Sequence, residues 1–149
     1  MTTIRNFKLV FTVLGVIYIL MASSMLVRGV TVLRDFGVPE SAIAEPVLED
    51  IFMFFYQYMA LMGAFTVLFG HVARERSTQL LVASVFFVSN ILTALRDLST
   101  SDCQLGTRLY KGENTIVFVY ISLAYAACFG YLVLRGLSTA KAPLASPST

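Results

Sequence analysis

Four long apolar stretches constrain this chain more than any other feature of its sequence. They cover about residues 7–27, 51–73, 79–95 and 115–134. A helix needs about 20 mostly apolar residues to cross the hydrocarbon core of a bilayer. A water-soluble four-helix bundle would show a polar face on each helix, whereas these stretches are apolar all round. The sequence therefore predicts an all-α fold, an integral membrane four-helix bundle.

The composition supports the same environment. Hydrophobic residues make up 57% of the 149-residue chain and charged residues only 13%, whereas a soluble domain carries about 25% charged residues. These values exclude an ordinary soluble enzyme and a disordered chain. A net charge of +2 is too small to indicate a polyanionic partner. We expect a lipid bilayer around the helices and no nucleic-acid partner.

Four spans place both termini on one side of the membrane, the terminal side, and the first and third connections on the other, the loop side. The terminal side carries six Lys and Arg residues and the loop side carries five. The positive-inside rule therefore favours termini in the cytoplasm. Eight of the nine acidic residues lie on the loop side. Residues 138–149 are small, polar and proline-containing, which predicts a disordered tail.

Two short motifs recur in the same order along the chain. The pattern T-x-L-R-D-[FL] covers residues 31–36, at the expected end of the first helix, and residues 93–98, at the end of the third. The pattern E-[DN]-x3-F-x-Y covers residues 49–56 and 113–120, where the second and fourth helices are expected to begin. The offsets, 62 and 64 residues, are nearly equal. This indicates two duplicated helical hairpins related by a pseudo-two-fold axis along the membrane normal.

The duplication would gather charged residues at the loop-side end of the bundle, above tyrosines. Three carboxylates are candidate catalytic acids or bases, because burial raises a carboxyl pKa toward neutrality; they are Glu49, Asp50 and Asp97. The candidate ligand-binding residues are Arg34, Arg96, Tyr56, Tyr120, Gln57 and Asn90. A simpler explanation of the charges is that carboxylates and arginines stabilise helix N-termini and C-termini respectively.

Polar and small residues within the spans indicate how the helices pack. Gln57 and Asn90 are positioned to hydrogen-bond between helices, and Asp97 shares the helix face of Asn90. Small residues let helix backbones approach closely in lipid. They are Gly15, Ala22 and Gly29 in the first helix, Ala60, Gly63, Ala64 and Gly70 in the second, and Ser122, Ala126 and Gly130 in the fourth.

The residue types in this sequence do not indicate metal or cofactor chemistry. The chain has one histidine, His71, and two cysteines, Cys103 and Cys128, too few for a typical metal cage or a disulfide framework. P-loop, G-x-S-x-G, HExxH and GxGxxG patterns are absent. We therefore expect no metal site and no cofactor.

The four spans, the Phe36-Gly37-Val38-Pro39 loop and the Arg96-Asp97 pair give the chain a resemblance to a known group. Over about residues 7–134 it resembles the DoxX-like group of small four-helix membrane proteins. Some members of that group act as membrane subunits of quinone-linked oxidoreductases. No catalytic motif of the group maps onto residues of this chain.

Three functions are consistent with these features. The first is a helper or subunit that binds a hydrophobic small molecule or lipid, or a partner such as an enzyme or a second copy. The second is a membrane-embedded acid–base enzyme, for example an isomerase, a cyclase or a cofactor-free oxygenase acting on an apolar metabolite. The third is a small transporter.

Overall fold

The computed structural model describes residues 3–36, 38–101 and 116–138, and these form helices with no β-strand. The helices are α1 (Phe7–Arg28), a 3-10 helix (Val30–Phe36), α2 (Glu40–Ile43), α3 (Pro46–Val72), α4 (Arg76–Ser101) and α5 (Ile116–Ser138). Four of them, α1, α3, α4 and α5, are long and apolar enough to cross a membrane. The predicted all-α fold is confirmed, with the four helices of a multi-pass membrane protein.

The helix ends differ from the predicted spans where local backbone chemistry intervenes. Gly29 ends α1 with a φ of 64°, and its N–H donates to the Met25 carbonyl. The expectation that the first helix continues through residues 31–36 was therefore wrong, because these residues form a separate 3-10 helix. Helix α3 begins at Pro46 rather than Ile51, since the first turn of a helix does not need the N–H that proline lacks. Helix α4 continues six residues beyond the predicted end, to Ser101.

Helices α1 and α3 form an antiparallel hairpin with very close backbones. A Cβ added to Gly15 would lie 2.7 Å from the Gly63 carbonyl oxygen, and one added to Gly70 would lie 2.8 Å from the Phe11 Cβ. The predicted use of small residues at this crossing is confirmed for Gly15, Gly63 and Gly70. Ala64, in contrast, is exposed.

Helices α4 and α5 form the second antiparallel hairpin. Ser122 and Ala126 are buried, as their spacing predicts. A Cβ on Gly130 would lie 3.1 Å from the Phe87 ring, and one on Gly136 would lie 2.8 Å from the Leu80 side chain. Small residues of α5 therefore accommodate larger side chains of α4.

The two hairpins share one hydrophobic core on the terminal side, which we call the terminal core. Phe11, Phe86 and Phe129 form a triangle of rings with centroids 5.0–5.3 Å apart. The fully or nearly fully buried members are Ile4, Phe7, Phe11, Leu14, Ala73, Ala83, Tyr125, Phe129 and Leu132. Residues from both hairpins thus build this core.

A second, smaller hydrophobic core lies on the loop side, and we call it the cap core. Its buried members are Val30, Val32, Leu33, Val38, Ile43 and Phe52, and Met25, Ala42, Leu48, Met53 and Tyr56 pack against them. All of these residues come from the first hairpin and the connection within it. Residues 30–36 and 38–43, with the α3 turns that they cover, form the loop-side cap.

The two copies of the repeated motif differ locally. Arg34 lies in the 3-10 helix, whereas Arg96 lies in the continuous helix α4. Residues 102–115 and 139–149, which include Cys103, Glu113 and most of the expected tail, lie outside the described residues. The duplication itself stays a prediction.

Candidate functional site

The loop-side cap is the best-built polar and aromatic site in the part of the chain that the structure describes. Its 3-10 helix is amphipathic, because Val32 and Leu33 are buried in the cap core while Arg34 and Asp35 are exposed. Ile43 of α2 is buried in the same core. Where a connection between two spans meets water, the hydrophobic effect favours the formation of such a core.

Two ion pairs hold the outer surface of the cap. Arg34 donates to both carboxylate oxygens of Glu40, from Nε to Oε1 at 2.5 Å and from Nη2 to Oε2 at 2.9 Å. This bidentate arrangement ties the 3-10 helix to α2 with defined geometry. Arg28 donates from Nη2 to the Asp35 carboxylate, which ties the 3-10 helix to the end of α1. The hydrogen bond from Arg34 lowers the pKa of Glu40, and the same bond raises the pKa of Arg34.

Aromatic side chains of α3 line the inner edge of the cap. Phe52 is buried in the cap core, and its ring centroid lies 4.6 Å from that of Tyr56. Tyr56 is partly buried, and its ring makes an edge contact with Phe55 at 5.2 Å. The candidate residues Arg34 and Tyr56 therefore both belong to the cap, with charged groups outside and aromatic rings beneath.

The candidate carboxylates Glu49 and Asp50 lie near the beginning of α3, and both are exposed. A carboxyl group that serves as an acid or base near neutral pH must be buried, and neither residue is. A carboxylate in the first turn of a helix interacts favourably with the helix dipole, which explains Glu49 without chemistry. Within the described ranges, no group of three His, Cys, Asp or Glu residues could hold a metal ion.

The candidate residues of the second hairpin differ from one another in their exposure. Asp97 is partly buried and lies on the same face of α4 as the buried Asn90 and Ala94, as the spacing predicts. Arg96 is exposed, and Tyr120 near the beginning of α5 is 65% exposed. Tyr56 and Tyr120, which occupy equivalent motif positions, therefore have different surroundings.

The expected hydrogen bond between Gln57 and Asn90 is wrong. Gln57 is exposed on α3, because the close approach to α1 uses the face of Gly63 and Thr66, and Thr66 is about 180° around the helix from Gln57. Asn90 is only 5% exposed and accepts a hydrogen bond at Oδ1 from the Tyr18 hydroxyl at 3.3 Å. Its Nδ2 donates to the Phe86 carbonyl at 2.8 Å.

Sequence reasoning placed Tyr125 in the aromatic interior, where it is buried, but it missed Tyr18 beside it at the middle of the bundle. Tyr125 donates from its hydroxyl to the Leu14 carbonyl at 3.3 Å, and its ring centroid lies 4.6 Å from that of Tyr18. The sequence did place Tyr18 on the inward face of α1, because residues 7, 11, 14 and 18 share one helix face. Together with Asn90 these tyrosines join the hairpins halfway along the spans.

Comparisons with known proteins identify no relative of this chain. No family model, no curated protein and no solved structure matches the chain. The resemblance to the DoxX-like group therefore stays a prediction.

Proposed function

We propose that this chain is a membrane-embedded binding protein of the helper or subunit type, which holds a hydrophobic small molecule at the loop-side cap. The observation that carries the proposal is the separate cap core, in which Phe52 and Tyr56 lie beneath an exposed ion-pair rim. Ligand sites commonly combine an apolar, aromatic lining with a few polar groups that fix orientation. The cap offers both kinds of group at one place.

The architecture of the cap supports this role. Long connections that pack their own residues often carry function, since the scaffold beneath them provides stability. The bidentate pair of Arg34 and Glu40 fixes the outer wall, while Tyr56 at the inner edge is only partly covered. A molecule with an apolar body and a polar end would place the body against the accessible rings of Phe55 and Tyr56 and the end toward the rim.

A single tryptophan gives a direct test, because the chain contains none. Tyr56→Trp places a fluorophore at the inner edge of the cap, and Tyr120→Trp places a matched one at an exposed position of the second hairpin. Both variants are titrated in detergent with a dibrominated fatty acid, whose bromine atoms quench tryptophan on contact. We expect saturable quenching for Tyr56→Trp and a linear, unsaturable decrease for Tyr120→Trp.

The same titration decides against the proposal if both fluorophores respond alike. Linear quenching at both positions would mean that the fatty acid only partitions into the micelle.

The acid–base enzyme and the transporter stay predictions, and the exposure of Glu49 and Asp50 gives the enzyme hypothesis no support.

A further inference from the structure

The two ends of the protein differ sharply in charge. Among the described residues, the terminal side carries five basic side chains and one acid, a net charge of four positive units; these are Arg5, Lys8, Arg74, Arg76, Arg135 and Glu75. The loop side carries three arginines and six acids, a net charge of three negative units; these are Arg28, Arg34, Arg96, Asp35, Glu40, Glu45, Glu49, Asp50 and Asp97. The terminal side is therefore the end that attracts anions.

Buried hydrogen bonds of Gln79 hold the backbone next to two of the basic residues. Its Oε1 accepts from the Ile4 N–H at 2.7 Å, and its Nε2 donates to the Ala73 carbonyl at 2.8 Å. Gln79 itself is only 4% exposed. Since Arg5 follows Ile4 and Arg74 follows Ala73, the amide of Gln79 fixes two basic residues on neighbouring chain segments.

Lys8 of α1 is a third basic residue near Arg5 and Arg74. Its carbonyl oxygen lies 3.4 Å from the position of a Cβ on Gly70, which places Lys8 beside the last turn of α3 and therefore near Arg74. Arg5, Lys8 and Arg74 are all exposed. The two ion pairs found among the described side chains are both on the loop side, so neither neutralises this cluster.

We propose that Arg5, Lys8 and Arg74 form a binding surface for the phosphate of an anionic phospholipid headgroup. The cluster lies at the ends of spanning helices, where lipid phosphates lie in a bilayer. Basic residues at this depth attract anionic lipids. Arg76 takes a different role, because its guanidinium donates to the Gly136 carbonyl and supports the α4–α5 contact. The proposal is independent of the function proposed for the cap.

Native mass spectrometry of the purified full chain in detergent tests the proposal, with phosphatidylglycerol and phosphatidylcholine added separately. Each basic residue near the surface is worth about a fivefold change in binding. We expect wild-type protein to bind phosphatidylglycerol at least about tenfold more tightly than phosphatidylcholine. The triple variant Arg5→Gln/Lys8→Gln/Arg74→Gln should lose this preference.

A matched control removes the same number of charges from the other end. Arg28→Gln/Arg34→Gln/Arg96→Gln should keep the preference for phosphatidylglycerol. The charge-retaining variant Arg5→Lys/Arg74→Lys should also keep it, which separates loss of charge from a folding defect.

Three results would overturn the proposal. The first is equal binding of the two lipids by wild-type protein. The second is an unchanged preference in the terminal-side triple variant. The third is complete displacement of phosphatidylglycerol by excess inorganic phosphate, which would assign the surface to free phosphate instead of a lipid.

Discussion

The terminal core and the cap core are built from different parts of the chain. Residues of both hairpins form the terminal core, and the ring triangle of Phe11, Phe86 and Phe129 crosses between them. The cap core uses residues of the first hairpin and its connection. One region therefore holds the hairpins together, whereas we expect the other to change its packing without separating the hairpins.

The physical forces acting on the two regions also differ. Lipid tails are as apolar as leucine, so close packing and interhelical hydrogen bonds must join helices inside the membrane. The glycine contacts of α1 and α3 and the Tyr18–Asn90 hydrogen bond are of this kind. The cap lies between spans, where water can drive burial of Val32, Leu33 and Phe52 by the hydrophobic effect.

The largest expected effect concerns the terminal core. Phe129 is 0% exposed, so Phe129→Ala should remove about 3–5 kcal/mol of stability. Because this core is shared, unfolding of the variant should affect both hairpins. The measurement is the denaturation midpoint in detergent, with Phe54→Ala as the control at a position 71% exposed. A similar loss in both variants would contradict the distinction between core and lipid-facing surface.

A comparable or smaller loss is expected at the junction between the hairpins on the terminal side. Gln79→Leu would leave the Ile4 N–H and the Ala73 carbonyl without their partner. Each unsatisfied buried group costs about 1–3 kcal/mol. Gln57→Leu is a matched control, because Gln57 is exposed on α3 and should tolerate the change. Equal thermal stability of the two variants would rule out a connecting role for Gln79.

At the middle of the bundle, Tyr18→Phe should have a still smaller effect. The variant removes the hydrogen bond to Asn90 and keeps the ring contact with Tyr125. Hydrogen bonds between membrane helices are worth about 0.6 kcal/mol on average. Tyr58→Phe, at an exposed position, should change stability less than that. An unfolding titration of both variants makes the comparison, and a loss of several kcal/mol would show that the junction depends on more than this bond.

The smallest effect concerns the ion pair of Arg34 and Glu40 in the cap. The pKa of Glu40 is lowered in the folded protein, so its stabilising contribution is complete above the unfolded pKa. That contribution is lost as pH falls through the lower, folded pKa. Carbon-detected NMR of Glu40 should show this titration moving to higher pH in Arg34→Gln. An unmoved titration would mean that Arg34 does not set the pKa of Glu40.

Sequence patterns predicted the helices well because membrane spans depend on length and apolarity. They located Gly15, Gly63 and Gly70 as packing residues, and they placed Asn90 and Asp97 on one face. They failed for Gln57 because a helix that is apolar on all sides does not reveal which face meets its neighbour. The face of α3 is set by the glycine contact with α1, which depends on two helices at once.

The candidate site was predicted only in part, for a similar reason. Arg34 and Tyr56 were found from a repeated motif, but their shared surroundings depend on the break at Gly29. The partner Glu40 was missed, because it reaches Arg34 only through the placement of α2 beside the 3-10 helix. The buried amide of Gln79 gave no signal, since its partners are backbone groups of distant segments.

Hydrogen–deuterium exchange of Phe52→Ala tests most directly whether the cap has a core of its own. Phe52 is buried in the cap core, and its truncation should remove contacts there alone. We expect faster amide exchange in residues 30–43 and the first turns of α3, with exchange in α4 and α5 as in the wild-type protein. Equally accelerated exchange in α4 and α5, or none in the cap, would contradict two separately built cores.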